Sequence, residues 1–128
     1  MSWHFLNVEA VVALHAELIE ESGGSHGLRD AGLLESAISR GENKVNYDPE
    51  ATVASVGASL SWGLIKNQAF IDGNKRIGLG ALAVFLKLNG FALPCPVEDE
   101  VATVLRAVAS EMTEDEWAAW VVRSVSPL

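Results

Sequence analysis

The stretch Ala51–Leu88, ATVASVGASLSWGLIKNQAFIDGNKRIGLGALAVFLKL, decides the fold. Two runs that are apolar or small on nearly every helical face flank a polar segment, Gln68–Arg76. A helix apolar all round must be surrounded by other helices. Gly78, Gly80, Ala81 and Ala83 would let those neighbours approach closely. The spacing therefore predicts two central helices, the first ending at Lys66 or Asn67 and the second running from about Asn74 to Leu88, joined by the polar loop.

Working outward, Asn7 can cap a helix to about Ser22, with Val8, Val11, Val12, His15, Leu18 and Ile19 on one face. Ser22-Gly23-Gly24-Ser25 stops it. Asp30 caps a short helix through Leu33, Leu34, Ala37 and Ile38, expected to end near Arg40-Gly41. Gly41–Tyr47 reads as a polar surface loop, and Asp48-Pro49 as the start of the first central helix. Beyond Asn89-Gly90, Phe91–Pro96 is a turn with at most a token strand. Glu98–Ser110 is amphipathic through Val101, Val104, Leu105 and Val108, and Thr113 to Glu116 forms a capping box before Trp117, Trp120 and Val121. The expected architecture is all-α: a compact six-helix bundle in one domain, 1–128.

Composition narrows the function classes. A chain of 128 residues with 49% hydrophobic and 20% charged residues can bury a real core, and it is not a disordered chain. One cysteine, Cys95, excludes a disulfide scaffold. With no leader legible, a reducing cytoplasm is the expected location. The net charge of −8 argues against sequence-independent binding to nucleic acid or anionic membranes. The longest uncharged stretch, Ala51–Ile65, is too short to span a bilayer.

The loop Asn67-Gln68-Ala69-Phe70-Ile71-Asp72-Gly73-Asn74-Lys75-Arg76 carries the chemistry. Gly73 permits a sharp turn and close ligand approach. The helix that follows presents unpaired N–H groups and the positive end of its dipole, an anion site. Lys75 and Arg76 add two cations where cations disfavour the helix itself, as expected if they are held for a phosphate. Asp72 places a carboxylate where Mg²⁺ could bridge to phosphate oxygens. The plainer alternative is a turn with a solvated rim. The position of the loop at the end of two core helices favours the anion site.

These residues resemble the signature loop of the Fic/Doc superfamily, H-x-F-x-D/N-G/A-N-K-R, in its death-on-curing (Doc) toxin branch. G-L-R-D-A-G-L-L-E-S-A-I at Gly27–Ile38 and F-L-x-x-E-x-V-x-x-L-H near the N-terminus are also typical of that branch, so the resemblance covers nearly the whole chain. It implies that Phe70 anchors the loop, that Asp72 holds Mg²⁺, and that Gly73, Asn74, Lys75 and Arg76 bind ATP phosphates. The AMP-transferring branch continues G-N-G-R-x-x-R; here Lys75 replaces the second Gly and Leu79 stands where the second Arg would be. The resemblance thus implies transfer of the γ-phosphate to a Thr or Ser hydroxyl of elongation factor Tu, stopping translation. It also implies an antitoxin of the prevents-host-death type that folds a C-terminal segment onto the toxin.

The chain departs from the pattern at one position: Gln68 stands where the family has its general-base His. A carboxamide cannot take a proton from a hydroxyl at neutral pH. General-base catalysis is worth typically 10²–10⁴, about 3–5 kcal/mol of barrier. Two origins fit: a natural degenerate toxin, or deliberate removal of the base to allow production. The intact remainder of the motif favours the second. A Fic-type AMP transferase and a catalytically dead module that retains antitoxin or nucleotide binding are the alternatives.

Other residues read more plainly. His15, on an apolar face, is expected to be a core histidine bonded to a neighbour, and His4 and His26 to be solvated. No residues show transition-metal spacing. Arg29 is either a surface residue or a contact at the mouth of the site. Lys44 and Tyr47, in the expected Gly41–Tyr47 loop, are the candidates for a flap that docks the substrate. Trp117 and Trp120 read as core aromatics, and Cys95 as a bland thiol in a proline-bounded turn.

Overall fold

The computed structural model describes residues 2–94 and 97–128, with residues 97–101 described by their backbone alone. Expectations for Cys95 and for the side chain of Val101 lie outside this description. Among the described residues there are six helices: α1 Val8–Ser22, α2 Ala31–Tyr47, α3 Val53–Asn67, α4 Asn74–Leu88, α5 Val97–Val108 and α6 Glu114–Ser124. β1 Phe91–Ala92 pairs antiparallel with β2 Ser126–Pro127. The all-α bundle read from the sequence is the one observed. The token strand expected after Asn89-Gly90 has its partner at the C-terminus, which sequence alone did not reveal.

Caps explain most helix starts. The Asn7 side chain accepts from Ala10 N–H, and Asp30 from Leu33 N–H. Thr113 and Glu116 form the reciprocal capping box expected of T-E-D-E.

Two boundaries correct the sequence reading. Gly41 does not end α2: it is buried in the helix, and a Cβ there would lie 3.5 Å from Val56 Cγ1. A glycine ends a helix by adopting positive φ, and Gly41 does not. It lies instead inside α2, packed at ordinary contact distance against Val56 of α3. Gly41–Tyr47, expected as a loop, is therefore the last part of α2. Asp48-Pro49 does not open α3 either. Asp48 caps the end of α2 with extended backbone, as a residue before proline prefers, and its carboxylate pairs with Lys44 at 3.2 Å. The true start is Thr52, which forms a capping box with Ser55.

The two central helices are not equivalent. Eleven of the fifteen residues of α3 are buried, whereas α4 buries one face through Ile77, Gly78, Ala81, Leu82, Phe85 and Leu86. They touch at Gly78, where any Cβ would overlap Ile65, and the buried Ser61 hydroxyl donates to Gly78 O at 3.0 Å. This close approach fixes the two ends of the polar loop. Trp117 and Trp120 of α6 are buried, with ring centroids 5.2 Å apart, as expected of core aromatics.

Candidate active site

The loop between α3 and α4 is held by three sets of bonds. First, it is braced on itself: Asn74 Oδ1 accepts from Phe70 N–H and Asn74 Nδ2 donates to Phe70 O, each at 3.0 Å. Second, it is paired with the segment before α2. Ala69 O accepts from Arg29 and Asp30 N–H at 2.7 and 3.0 Å, and Ile71 N–H donates to Gly27 O at 3.0 Å. Third, it is seated on α1. The buried His15 imidazole stacks on Phe70, and its Nε2 lies 2.7 Å from Asp72 O. Phe70 is buried, as expected of the loop's anchor.

Gly73 caps α4 with φ +75°, a conformation that disfavours any side chain; a Cβ there would also lie 3.0 Å from Ile19 Cδ1. The helix start has no side-chain cap, so its first N–H groups remain available to an anion.

Asp72 is ionised firmly. Ser25 N–H donates to Oδ2 at 3.1 Å and Gly73 N–H to Oδ1 at 2.8 Å. These two bonds, the Ser25 bond first, hold the carboxyl below its ordinary 3.8 against the opposing effect of desolvation, with help from Arg76 and His15. Gly24 makes this possible: it has φ +114°, and a Cβ there would lie 2.6 Å from Asp72 Oδ2 and 2.9 Å from Arg76 Nη2.

The two cations divide their labour. Arg76 Nη1 donates to Ser22 Oγ at 2.7 Å and Gly23 O at 2.6 Å, tying α4 to the end of α1. Lys75 is exposed, and among the described residues no carboxylate lies within ion-pair distance of it.

Two adjoining cavities share Asp72, Gly73 and Lys75. The larger, about 360 Å³, is completed by Arg76, Leu79, Val104 and Leu105. The smaller, about 150 Å³, is completed by Ile65, Gln68, Ile71, Asn74 and Val108. The sequence reading missed the wall that α5 supplies through Val104, Leu105 and Val108; the apolar face of α5 was legible, but not what it faces. Leu79 presents an apolar side chain to the larger cavity where the AMP-transferring motif would bring an arginine.

Of the sequence candidates, Gln68, Asp72, Gly73, Asn74, Lys75 and Arg76 converge here, with Phe70 beneath them. Lys44 and Tyr47 line neither cavity. They sit in the last turn of α2, Lys44 paired with Asp48 and Tyr47 exposed, so the flexible loop in which the flap was expected is a helix. Arg29, read as either surface or mouth, is exposed and bonded to the end of α3: Nε donates to Gln68 O at 2.9 Å and Nη2 to Asn67 O at 3.2 Å. Among the described residues, no group of three His, Cys, Asp or Glu is placed to hold a metal ion, and no helix is long and apolar enough to cross a membrane.

The family description "Fic/DOC family" matches residues 5–86, a span that runs from the N-terminal segment into the last turn of α4 and contains the whole loop. The chain belongs to the Fic/Doc family. Among its relatives, the "Protein kinase doc" of Escherichia phage P1 is 32% identical over 85 residues, 66% of this chain and 68% of that protein. "Toxin Doc" of Mycolicibacterium smegmatis is 34% identical over 98 residues, 69% of this chain and 69% of that protein. Both alignments cover about two-thirds of each partner, so the likeness extends well beyond the loop motif. Asp72, Gly73 and Lys75, where the two cavities adjoin, lie within the matched span.

Proposed function

We propose that this chain is a Doc-type toxin: a scaffold for transfer of the ATP γ-phosphate to a Ser or Thr hydroxyl of a translation factor, with elongation factor Tu the expected acceptor. In this reading it acts in the bacterial cytoplasm and is restrained by an antitoxin of the prevents-host-death type. The observation that carries the reading is the meeting of the uncapped start of α4, Lys75, which pairs with no carboxylate among the described residues, and the ionised Asp72 at the junction of the two cavities. Phosphoryl transfer asks little covalent chemistry of a protein. It asks for positioning and for charge stabilisation at the transferring group.

Lys75 and the first N–H groups of α4 would bind the phosphates. Asp72 would hold Mg²⁺: a single ionised carboxylate with lone pairs open to both cavities suits an ion that draws its other ligands from water and phosphate oxygens. When bound, that ion would neutralise charge developing on the phosphate oxygens. In the reaction, the bond from the γ-phosphorus to the ADP oxygen breaks and a bond to the acceptor oxygen forms. The acceptor's proton must leave. Gln68 lines the smaller cavity, where it can hydrogen-bond a hydroxyl but cannot take that proton. The chain as it stands is therefore expected to be 10²–10⁴ slower than one with a base at this position.

Two further readings have specific counter-evidence or tests. An AMP transferase is disfavoured by Lys75 and by the apolar Leu79 in the larger cavity. A binding module that has lost catalysis would stay inactive after a base is restored. Incubating the parent and the Gln68→His protein with a bacterial lysate and ATP labelled at the γ- or the α-phosphate separates the three. Transfer of γ-label by the variant alone supports the proposal; transfer of α-label supports the AMP transferase; transfer of neither supports the binding module.

A further inference from the structure

Gln68 occupies a conformation that its side chain does not favour. It caps α3 in the left-handed region, φ 49° and ψ 52°, one of two non-glycine residues with positive φ among those described. Such a conformation is strained for a residue that carries a side chain and persists only where its surroundings impose it. The last carbonyls of a helix also need donors. Both needs are met by one residue. Arg29 donates through Nε to Gln68 O at 2.9 Å and through Nη2 to Asn67 O at 3.2 Å, with a second Nη2 bond to Gln68 O. Its own N–H donates to Ala69 O, and Leu28 bridges Phe70. This guanidinium is exposed in a chain with 17 acidic and 9 basic side chains. Among the described residues it nevertheless pairs with no carboxylate. Its donors go to the main chain at the residue that faces the smaller cavity.

We infer that Arg29 is a positioning residue: its fork holds residue 68 in the left-handed conformation that points this side chain into the smaller cavity. A simple helix cap would add stability and nothing else. A positioning residue also determines where the side chain at 68 lies, and in a transferase a misplacement of about 1 Å costs about 10²-fold in rate. Only the kinetic part of the test rests on the transferase reading given above.

The conformational part uses the parent chain. In Arg29→Ala, the backbone and Cβ carbon shifts of Gln68 should leave left-handed values, while those of Leu60 and Leu64 in the buried middle of α3 stay in place. Arg29→Lys, which keeps the charge and one donor, should give intermediate shifts, and it replaces Arg29→Ala if that protein fails to fold. Left-handed shifts at Gln68 in both variants would overturn the inference. The kinetic part compares Gln68→His with Gln68→His/Arg29→Ala. A loss of kcat of tenfold or more with the KM for ATP within twofold supports positioning; an unchanged kcat overturns it. If Gln68→His transfers no label, the transferase reading fails, and the carbon shifts alone decide the role of Arg29.

Discussion

The His15 imidazole lies flat on the Phe70 ring, centroids 3.8 Å apart and planes 11° from parallel, with Nε2 2.7 Å from Asp72 O. A residue of the first helix thus supports the floor and the turn of the loop at once. His15→Ala removes the stack, leaves a void and strips Asp72 O of its partner. A loss of about 2–4 kcal/mol of stability is expected, read by urea unfolding. His15→Phe keeps the stack and should cost less, about 1–2 kcal/mol.

Lys75 and Arg76 should separate cleanly. Lys75→Ala removes an exposed cation with no carboxylate partner among the described residues. Stability should stay within about 0.5 kcal/mol while ATP affinity by calorimetry falls at least tenfold. Arg76→Ala frees Ser22 Oγ and Gly23 O and should cost about 1–2 kcal/mol of stability. An equal effect of both variants on affinity, with no difference in stability, would contradict this division.

Gly24→Ala tests the support of Asp72 from the other side. The new Cβ would meet Asp72 Oδ2 and Arg76 Nη2, and the backbone would be strained at φ +114°. Destabilisation of about 1–3 kcal/mol is expected, with weaker Mg²⁺-dependent ATP binding. Gly23→Ala, where a Cβ meets nothing within 4 Å, should suffer only the backbone strain and leave binding intact.

The Asp72 carboxyl also sets a pH dependence. Its folded value lies below the ordinary 3.8 because Ser25 and Gly73 N–H donate to the ionised form. A group depressed in this way stabilises the fold above its unfolded value, and that contribution is lost as pH falls through the folded value. Stability measured from neutral pH downward should therefore fall less steeply below about pH 4 in Asp72→Asn than in the parent. Identical acid limbs would show that the two bonds do not form in solution.

How much of this was legible in the sequence depends on whether a signal was local. The ends of α3 and α4, the Thr113–Glu116 capping box and the burial of His15 followed from spacing and capping chemistry, which act within a turn of helix. The errors came where one local signal had two meanings. Gly41 looks like a stop but is a packing point against Val56, and Asp48-Pro49 looks like a start but ends α2, because Thr52 with Ser55 makes the better cap. Apart from Ile71, the loop residues that gather at the cavities were named as candidates from the sequence. That Arg76 and Asn74 also brace the loop while lining the cavities, whereas Lys75 does not, was not legible, since it depends on Ser22, Gly23 and the Phe70 backbone. Val104 and Leu105 as a cavity wall, and Arg29 as the partner of Gln68, depend on contacts made only when distant segments fold together.

The most direct test of the central claim is the intact mass of purified elongation factor Tu after incubation with ATP, Mg²⁺ and the Gln68→His protein. The account predicts addition of one phosphoryl group, and little or none with the parent chain or with Gln68→His/Lys75→Ala. Addition of an AMP group, or an unmodified acceptor beside a folded Gln68→His protein that binds ATP, would contradict it.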